Sequence, residues 1–317
     1  MFVQQNMPHT EQKRKKMSEL AKQVLPNFTI EDLISAGAHF GHRASSWNPD
    51  MKPYIFGVRN KTHILDVRKT HASLVTSLLY IYNAVRSGKS VLMVSTKKSV
   101  SEIVRNHAIR CGQAHVTHRW LGGMLTNWRT VVMSIKKIKN IEKILSQVDE
   151  KGRHSVYTKK EIGVFKKDLD KLKLYFDGLR GITARPDVVI VFDTNKDSCA
   201  IQEAYKLNLS CVGLVDSNSN IKNIQYLVPC NDDSIKSVDF VAKLISDTVL
   251  RAIKDEVSSY NLDTNIVAKN QQEKIADLSK RIQESVKPAK SKSIEDISES
   301  QPLAASLDAA VVAESSI

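Results

Sequence analysis

Several residues stand where an α/β protein performs chemistry. The apolar run Val91-Leu92-Met93-Val94 leads into Ser95-Thr96-Lys97-Lys98-Ser99. Lysines at a strand-to-helix turn suit an anion, because the free N–H groups and dipole of a helix start add to their charge. An RNA phosphate satisfies Lys97 and Lys98 as well as a nucleotide does, and a solvated charged turn needs no ligand at all. Asp193 and Asp216 each close an apolar strand, where ligands of open sheets collect. Such a pair could hold magnesium or accept a phosphoryl group. Capping of the following Thr194-Asn195 and Ser217-Asn218 turns is the simpler account. No metal is therefore expected, with Asp193 and Asp216 as the candidates held in reserve.

A dinucleotide or ATP site needs G-x-G-x-x-G or G-x-x-x-x-G-K-[ST] after a buried strand. Neither follows Val94, and the one glycine pair, Gly122-Gly123, follows no long strand. No cofactor is expected. His39 and His42 have H-x-x-H spacing without further ligands at a telling distance. Beside Arg43 and Trp47 they read as RNA contacts or loop packing. Arg119-Trp120 and Trp128-Arg129 set guanidinium beside indole, which can stack on bases or clamp sugar-phosphate. If the tryptophans instead anchor the loop, the arginines stay free for phosphate. No Ser-His-Asp or Cys-His set emerges, so no catalytic residue is assigned.

The elements that must position these residues alternate. A short helix is expected from Phe28 to Phe40, capped by Thr29 with Asp32 at the third helical position. Residues 45–59 look like loop. His63 to Val67 reads as a strand, followed by a helix capped by Thr70, with Leu74, Leu78, Ile81 and Val85 at helical spacing and Gly88 as its stop. Val91 to Val94 and Asp187 to Phe192 are continuous apolar runs, the pattern of parallel strands buried on both faces. A helix with Val100, Ile103, Val104, His107 and Ala108 on one side, another over 197–207, strands at 210–215 and 226–228, and a last helix capped by Ser234 complete a βαβ rhythm. That rhythm specifies an α/β fold with a doubly wound parallel sheet and helices on both faces.

The middle breaks the pattern. Trp128, Val131, Ile135, Ile138 and Leu145 step by three and four, apart from a gap at Glu142; Ile162, Phe165, Leu169, Leu172 and Phe176 step the same way. Two such seams imply an antiparallel coiled-coil hairpin joined near Lys151-Gly152 and projecting from the sheet. The expected organisation is a flexible extension over 1–25, a sheet domain from 26–124 and 178–258, the hairpin at 125–177, and a largely disordered acidic tail at 259–317.

Charge says what such a protein meets. The net charge is +13 over 317 residues. The last stretch, from Asp255, holds 7 Lys/Arg against 11 Asp/Glu, so the rest carries +17. Val116 to Arg180 alone holds 15 Lys/Arg against 7 Asp/Glu. A basic surplus on the folded part favours a polyanion. Four cysteines without C-x-x-C spacing suggest neither zinc nor a redox pair, and no apolar run approaches the ~18 residues of a membrane span, so no membrane partner is expected. Two classes stand: a structural RNA-binding protein, and an α/β nucleotide-binding regulator or enzyme carrying a basic hairpin.

The motifs favour the first. Ala38-His39-Phe40-Gly41-His42, Trp47-Asn48-Pro49-Asp50-Met51-Lys52-Pro53-Tyr54-Ile55-Phe56-Gly57, Arg59-Asn60-Lys61 and Asn231-Asp232-Asp233 closely resemble the second protein of the bacterial-type small ribosomal subunit (the ribosomal protein uS2 family). So does His118-Arg119-Trp120-Leu121-Gly122-Gly123-Met124-Leu125-Thr126-Asn127-Trp128, the most specific run. The resemblance covers about Phe28 to Ile253. It implies a flavodoxin-like sheet domain with a projecting coiled-coil hairpin, binding of small-subunit rRNA between head and body, and recruitment of neighbouring proteins, including the large messenger-binding protein. It implies a cytoplasmic bacterial ribosome, with a mitochondrial ribosome as the alternative. The expected RNA contacts are His42, Arg43, Lys52, Arg59, Lys61, Lys97, Lys98, Arg119, Arg129, Lys136, Lys137 and Lys139. Departures from the family pattern fall at Ile182 to Asp187, at Ser217-Asn218-Ser219-Asn220 and at Cys230.

Overall fold

In the computed structural model, residues 23–148, 156–182 and 184–257 are described. The expected acidic tail and most of the N-terminal extension lie outside them, as does the junction at Lys151-Gly152. Helix α1 (Ile30–Ser35) begins as the sequence predicts: the Thr29 hydroxyl accepts from the Asp32 amide, and the Asp32 carboxylate accepts from the Thr29 amide at 2.8 Å. It ends earlier than expected, because Gly37 turns the chain with φ +77°.

Residues 40–65 hold an element the sequence does not announce. Strands β1 (Phe40–Arg43), β2 (Ile55–Arg59) and β3 (Thr62–Leu65) form an antiparallel sheet in the order β1-β3-β2. The β2–β3 turn places Asn60 and Lys61 at φ 52° and 63°. A two-residue hairpin needs that left-handed backbone and usually announces it with Gly; Asn-Lys does not, so 45–59 reads as loop. The strand at 63–67 is likewise shorter than expected. Asp66, and not Thr70, caps helix α2 (Val67–Arg86), accepting from the Arg68 amide. Thr70 is buried inside the first turn.

The main sheet comprises β4 (Val91–Val94), β5 (Ala114–Val116), β6 (Val188–Val191), β7 (Ser210–Val215) and β8 (Tyr226–Pro229), all parallel, in the order β5-β4-β6-β7-β8. Taken in chain order that is 2-1-3-4-5, the flavodoxin-like arrangement, with its switch point between β4 and β6. Alternate residues feed opposite faces. Val91, Met93, Val188, Ile190, Val212 and Leu214 pack with α2, helix α3 (Ser101–Arg110) and the helix α7 over residues 235–257. Leu92, Val94, Val189, Val191 and Cys211 pack on the other side with helices α4 (Trp128–Ser146), α5 (Lys159–Phe176) and α6 (Ser198–Lys206).

Helices α4 and α5 pack against one another. Val131, Ile135 and Ile138, from the seam expected on α4, and Leu169 and Phe176, from that expected on α5, are buried in one apolar cluster. The gap at Glu142 is closed by a shift: Ile141 turns inward, and Glu142 meets Arg180 at 2.9 Å and Lys173 at 3.0 Å. The seam is not sealed off from the sheet. Its residues share one apolar cluster with Leu92, Val94, Val116, Val189 and Val191, so apolar packing does not break at residues 125 and 177. After α5 the chain crosses β5 so closely that a Cβ at Gly178 would lie 2.2 Å from the His115 carbonyl oxygen. Only glycine fits there.

Candidate nucleic-acid interface

The switch point of a flavodoxin-like sheet is where a ligand sits. Here side chains of the chain itself occupy it. Thr96 donates its amide and hydroxyl to the Asp197 carboxylate at 3.0 and 2.7 Å. Lys97 Nζ lies 2.5 Å from Asp233, 3.1 Å from Asp232 and 3.6 Å from Asp193. From β1, His42 reaches in: Nδ1 is 2.8 Å from Asp216 and Nε2 is 3.2 Å from Asp233. The His42 amide donates to Ser217 Oγ at 2.8 Å. Gly41 lets this contact form, since a Cβ there would approach Ser217 Oγ at 2.9 Å.

The electrostatics follow from this packing. Burial pushes the Asp232 carboxyl up to about 6, assisted by Asp216 and Asp193. The hydrogen bond from Lys97 holds Asp233 below its usual value. Burial works against the Lys97 ammonium, but Asp233, Asp232 and Asp193 outweigh it and raise its pKa. His42 rises to about 9, chiefly through its hydrogen bond with Asp216. His42 and Lys97 thus act as the cations of an internal cluster that docks the small sheet on the large one. Lys98, the next residue, is exposed.

Among the described residues, His42, Asp216 and Asp232 are the group whose ligand atoms lie close enough, within 4.8 Å of one another, to hold a metal ion. Asp193 is not in that set. It accepts from the amides of Asn195 and Lys196 at 3.1 and 2.9 Å, the turn-capping role.

A raised histidine pKa has a definite sign. The stability that protonated His42 contributes is fully present below its ordinary 6.5 and is lost as pH rises through about 9. The melting temperature of the parent is expected to fall more steeply between these limits than that of His42→Gln. Parallel pH profiles for the two proteins would show that the pair adds nothing.

The signature run at 118–128 forms a second site. Trp120 is 9% exposed, and its indole N–H donates to Glu203 on α6 at 3.0 Å. It therefore takes the anchoring role. The amides of Gly123, Leu125 and Thr126 and the Thr126 hydroxyl also donate to that carboxylate. Burial raises the Glu203 pKa, and these hydrogen bonds outweigh it and hold the group ionised below its usual value. Arg119, just before the clamped segment, and Arg129, just after it, are both exposed. Arg129 opens α4, and the exposed Lys136, Lys139 and Lys143 continue along it at i, i+3 and i+7. Lys137 is exposed as well and lies 3.4 Å from Asp168 on α5.

A third basic group sits at the end of the small sheet. Arg43 and Arg59 both pair in register with Thr62, and the Lys61 carbonyl accepts from the Ala44 amide. Arg43, Arg59 and Lys61 therefore come together, all exposed, while exposed Lys52 lies in the preceding 3-10 turn. Sequence reasoning missed Glu203, Asp197 and Asp233. Glu203 left a trace: it interrupts the otherwise apolar stripe Ala200, Ile201, Ala204.

A sheet of this order, closed at its switch point and carrying exposed basic residues on a clamped loop and a long helix pair, fits a basic structural protein. A family described as Ribosomal protein S2 matches residues 33–252. The chain is 43% identical over 254 residues to the small ribosomal subunit protein uS2 of Ehrlichia canis (strain Jake), covering 80% of this chain and 86% of that protein. It is 44% identical over 237 residues to its namesake in Anaplasma phagocytophilum (strain HZ), covering 74% and 78%. It is 40% identical over 252 residues to that of Rickettsia bellii (strain OSU 85-389), covering 80% and 86%. The chain belongs to the ribosomal protein S2 family, a family of structural proteins.

Proposed function

We infer that this chain is a structural constituent of the small ribosomal subunit and meets small-subunit rRNA through phosphate contacts. Family membership supports the ribosomal role. The observation that carries the RNA reading is the loop at 120–126, held from beneath by Glu203 and flanked by exposed Arg119 and Arg129. Lys136, Lys137 and Lys139 extend this surface along α4, and Arg43, Lys52, Arg59, Lys61 and Lys98 form its further contacts. His42 and Lys97 support the surface from within, since their charges are met by Asp216, Asp232 and Asp233. Neighbouring small-subunit proteins, the large messenger-binding protein among them, complete the partners. The bacterial relatives favour a bacterial cytoplasmic ribosome over a mitochondrial one.

Phosphate contacts make binding depend on salt, because each neutralised phosphate releases counterions. Affinity for small subunits depleted of this protein is expected to fall at least about tenfold between 50 and 200 mM salt. A flat response would exclude a phosphate-based interface.

A further inference from the structure

The signature loop is wound around an anion, and the anion is the chain's own. Five donors converge on the Glu203 carboxylate: Trp120 Nε1 at 3.0 Å, the amides of Gly123, Leu125 and Thr126 at 2.8, 2.9 and 3.1 Å, and the Thr126 hydroxyl at 3.2 Å. Two oxygens offer about four lone pairs, so this acceptor is fully used. Backbone N–H groups that converge from a concave turn resemble the nests that take phosphate in other proteins, although here the Met124 amide between them donates to the Leu121 carbonyl. Here Glu203, 6% exposed, fills the nest from inside the fold. The exchange frees the loop's outer side: the anchored atoms face α6, and the arginines at its two ends face solvent.

We propose that Glu203 is a positioning residue for RNA binding, fixing the spacing and aim of Arg119 and Arg129 by clamping the residues between them. This rests on the reading that both arginines meet rRNA phosphates. Arg119 adjoins Trp120, which is tied to Oε1. Arg129 lies three residues past Thr126, which is tied to Oε2. Between these ties stand Gly122 and Gly123, the latter at φ +90°. Glycines hold no conformation by themselves, so without the carboxylate the loop has many shapes and the arginines many separations. Binding would then have to order the loop, and affinity falls by that amount.

The test compares full-length proteins binding to small subunits depleted of this protein, with circular dichroism and melting recorded alongside. The set is the parent, Glu203→Ala, the double variant Arg119→Gln/Arg129→Gln, and the triple combination. Glu203→Ala is expected to weaken binding about tenfold, within the range for two interacting groups. The triple variant is expected to bind no more weakly than the arginine pair, because Glu203 acts through those arginines. Tens of millimolar formate, against equal chloride, is expected to restore Glu203→Ala in part and leave the arginine pair unchanged. If Glu203→Ala does not fold, Glu203→Gln, which keeps the shape and one acceptor oxygen, takes its place in the binding comparisons, without the formate arm because it leaves formate no space. An equal further loss from Glu203→Ala in the arginine-free background would mean that the carboxylate serves only the fold and would overturn the proposal. So would parental binding by Glu203→Ala while the arginine pair is weakened. Parental binding by the arginine pair alone would instead overturn the RNA reading beneath it.

Discussion

Changing Arg119, Arg129, Lys136 and Lys139 together to Gln is expected to lower entry into small subunits at least about tenfold and to flatten its salt dependence by about three units of slope, since each phosphate contact contributes ~0.7–0.9. All four side chains are exposed. Exposed substitutions of this kind shift stability little, so the melting temperature is expected to stay close to the parent's. Like charges along α4 repel one another, so their removal relieves the helix and does not cost the fold. Phosphate contacts position a protein without reading bases, so the loss should extend to small subunits of any source. Sedimentation of the tagged variant against the parent measures the effect. Equal entry of variant and parent would move the search to Lys98 and to Arg43, Arg59 and Lys61.

The second large effect is expected in the seam. Ile138 is fully buried where α4 meets both α5 and the sheet's apolar face. Ile138→Ala is expected to destabilise the protein by about 2–5 kcal/mol. Phe165→Ala and Leu172→Ala, which are half-buried beside the same cluster, belong at the lower end of that range. Because the seam and the sheet share one apolar cluster, urea is expected to unfold them together. Tryptophan fluorescence in a Trp47→Phe background, where it reports from Trp120 and Trp128 at the base of the helix pair, should follow the same curve as far-UV circular dichroism. Two separated transitions would mean that the helix pair is a unit of its own.

The strands buried on both faces were legible in sequence because Val91–Val94 and Val188–Val191 are unbroken apolar runs with glycine or turn residues at their limits. Helices α4 and α5 were legible because their apolar residues repeat at helical spacing. The small antiparallel sheet was not: its turn uses Asn60-Lys61 in place of glycine, and the exposed positions of β2 are the apolar Phe56 and Val58, so no alternation of apolar and polar residues marks that strand. The site followed the same division. Exposed arginines and lysines could be named from charge density alone. The partners of His42 and Lys97 could not, because Asp216 and Asp232–Asp233 lie more than a hundred residues away and come near only through the sheet's strand order. The clamp on the signature loop stayed hidden for the same reason: Glu203 stands on another helix.

The glycine at the return from the helix pair bears on the life of the chain before assembly. Strand β5 is only three residues long and ends one side of the sheet. A strand in that position offers unpaired backbone groups to any other chain. Gly178 lets the returning segment lie against the His115 carbonyl, closer than any side chain would permit. The fold thus shields its own flank against self-association with a backbone crossing. That stretch of the edge is already covered by the chain's own backbone before any RNA is met.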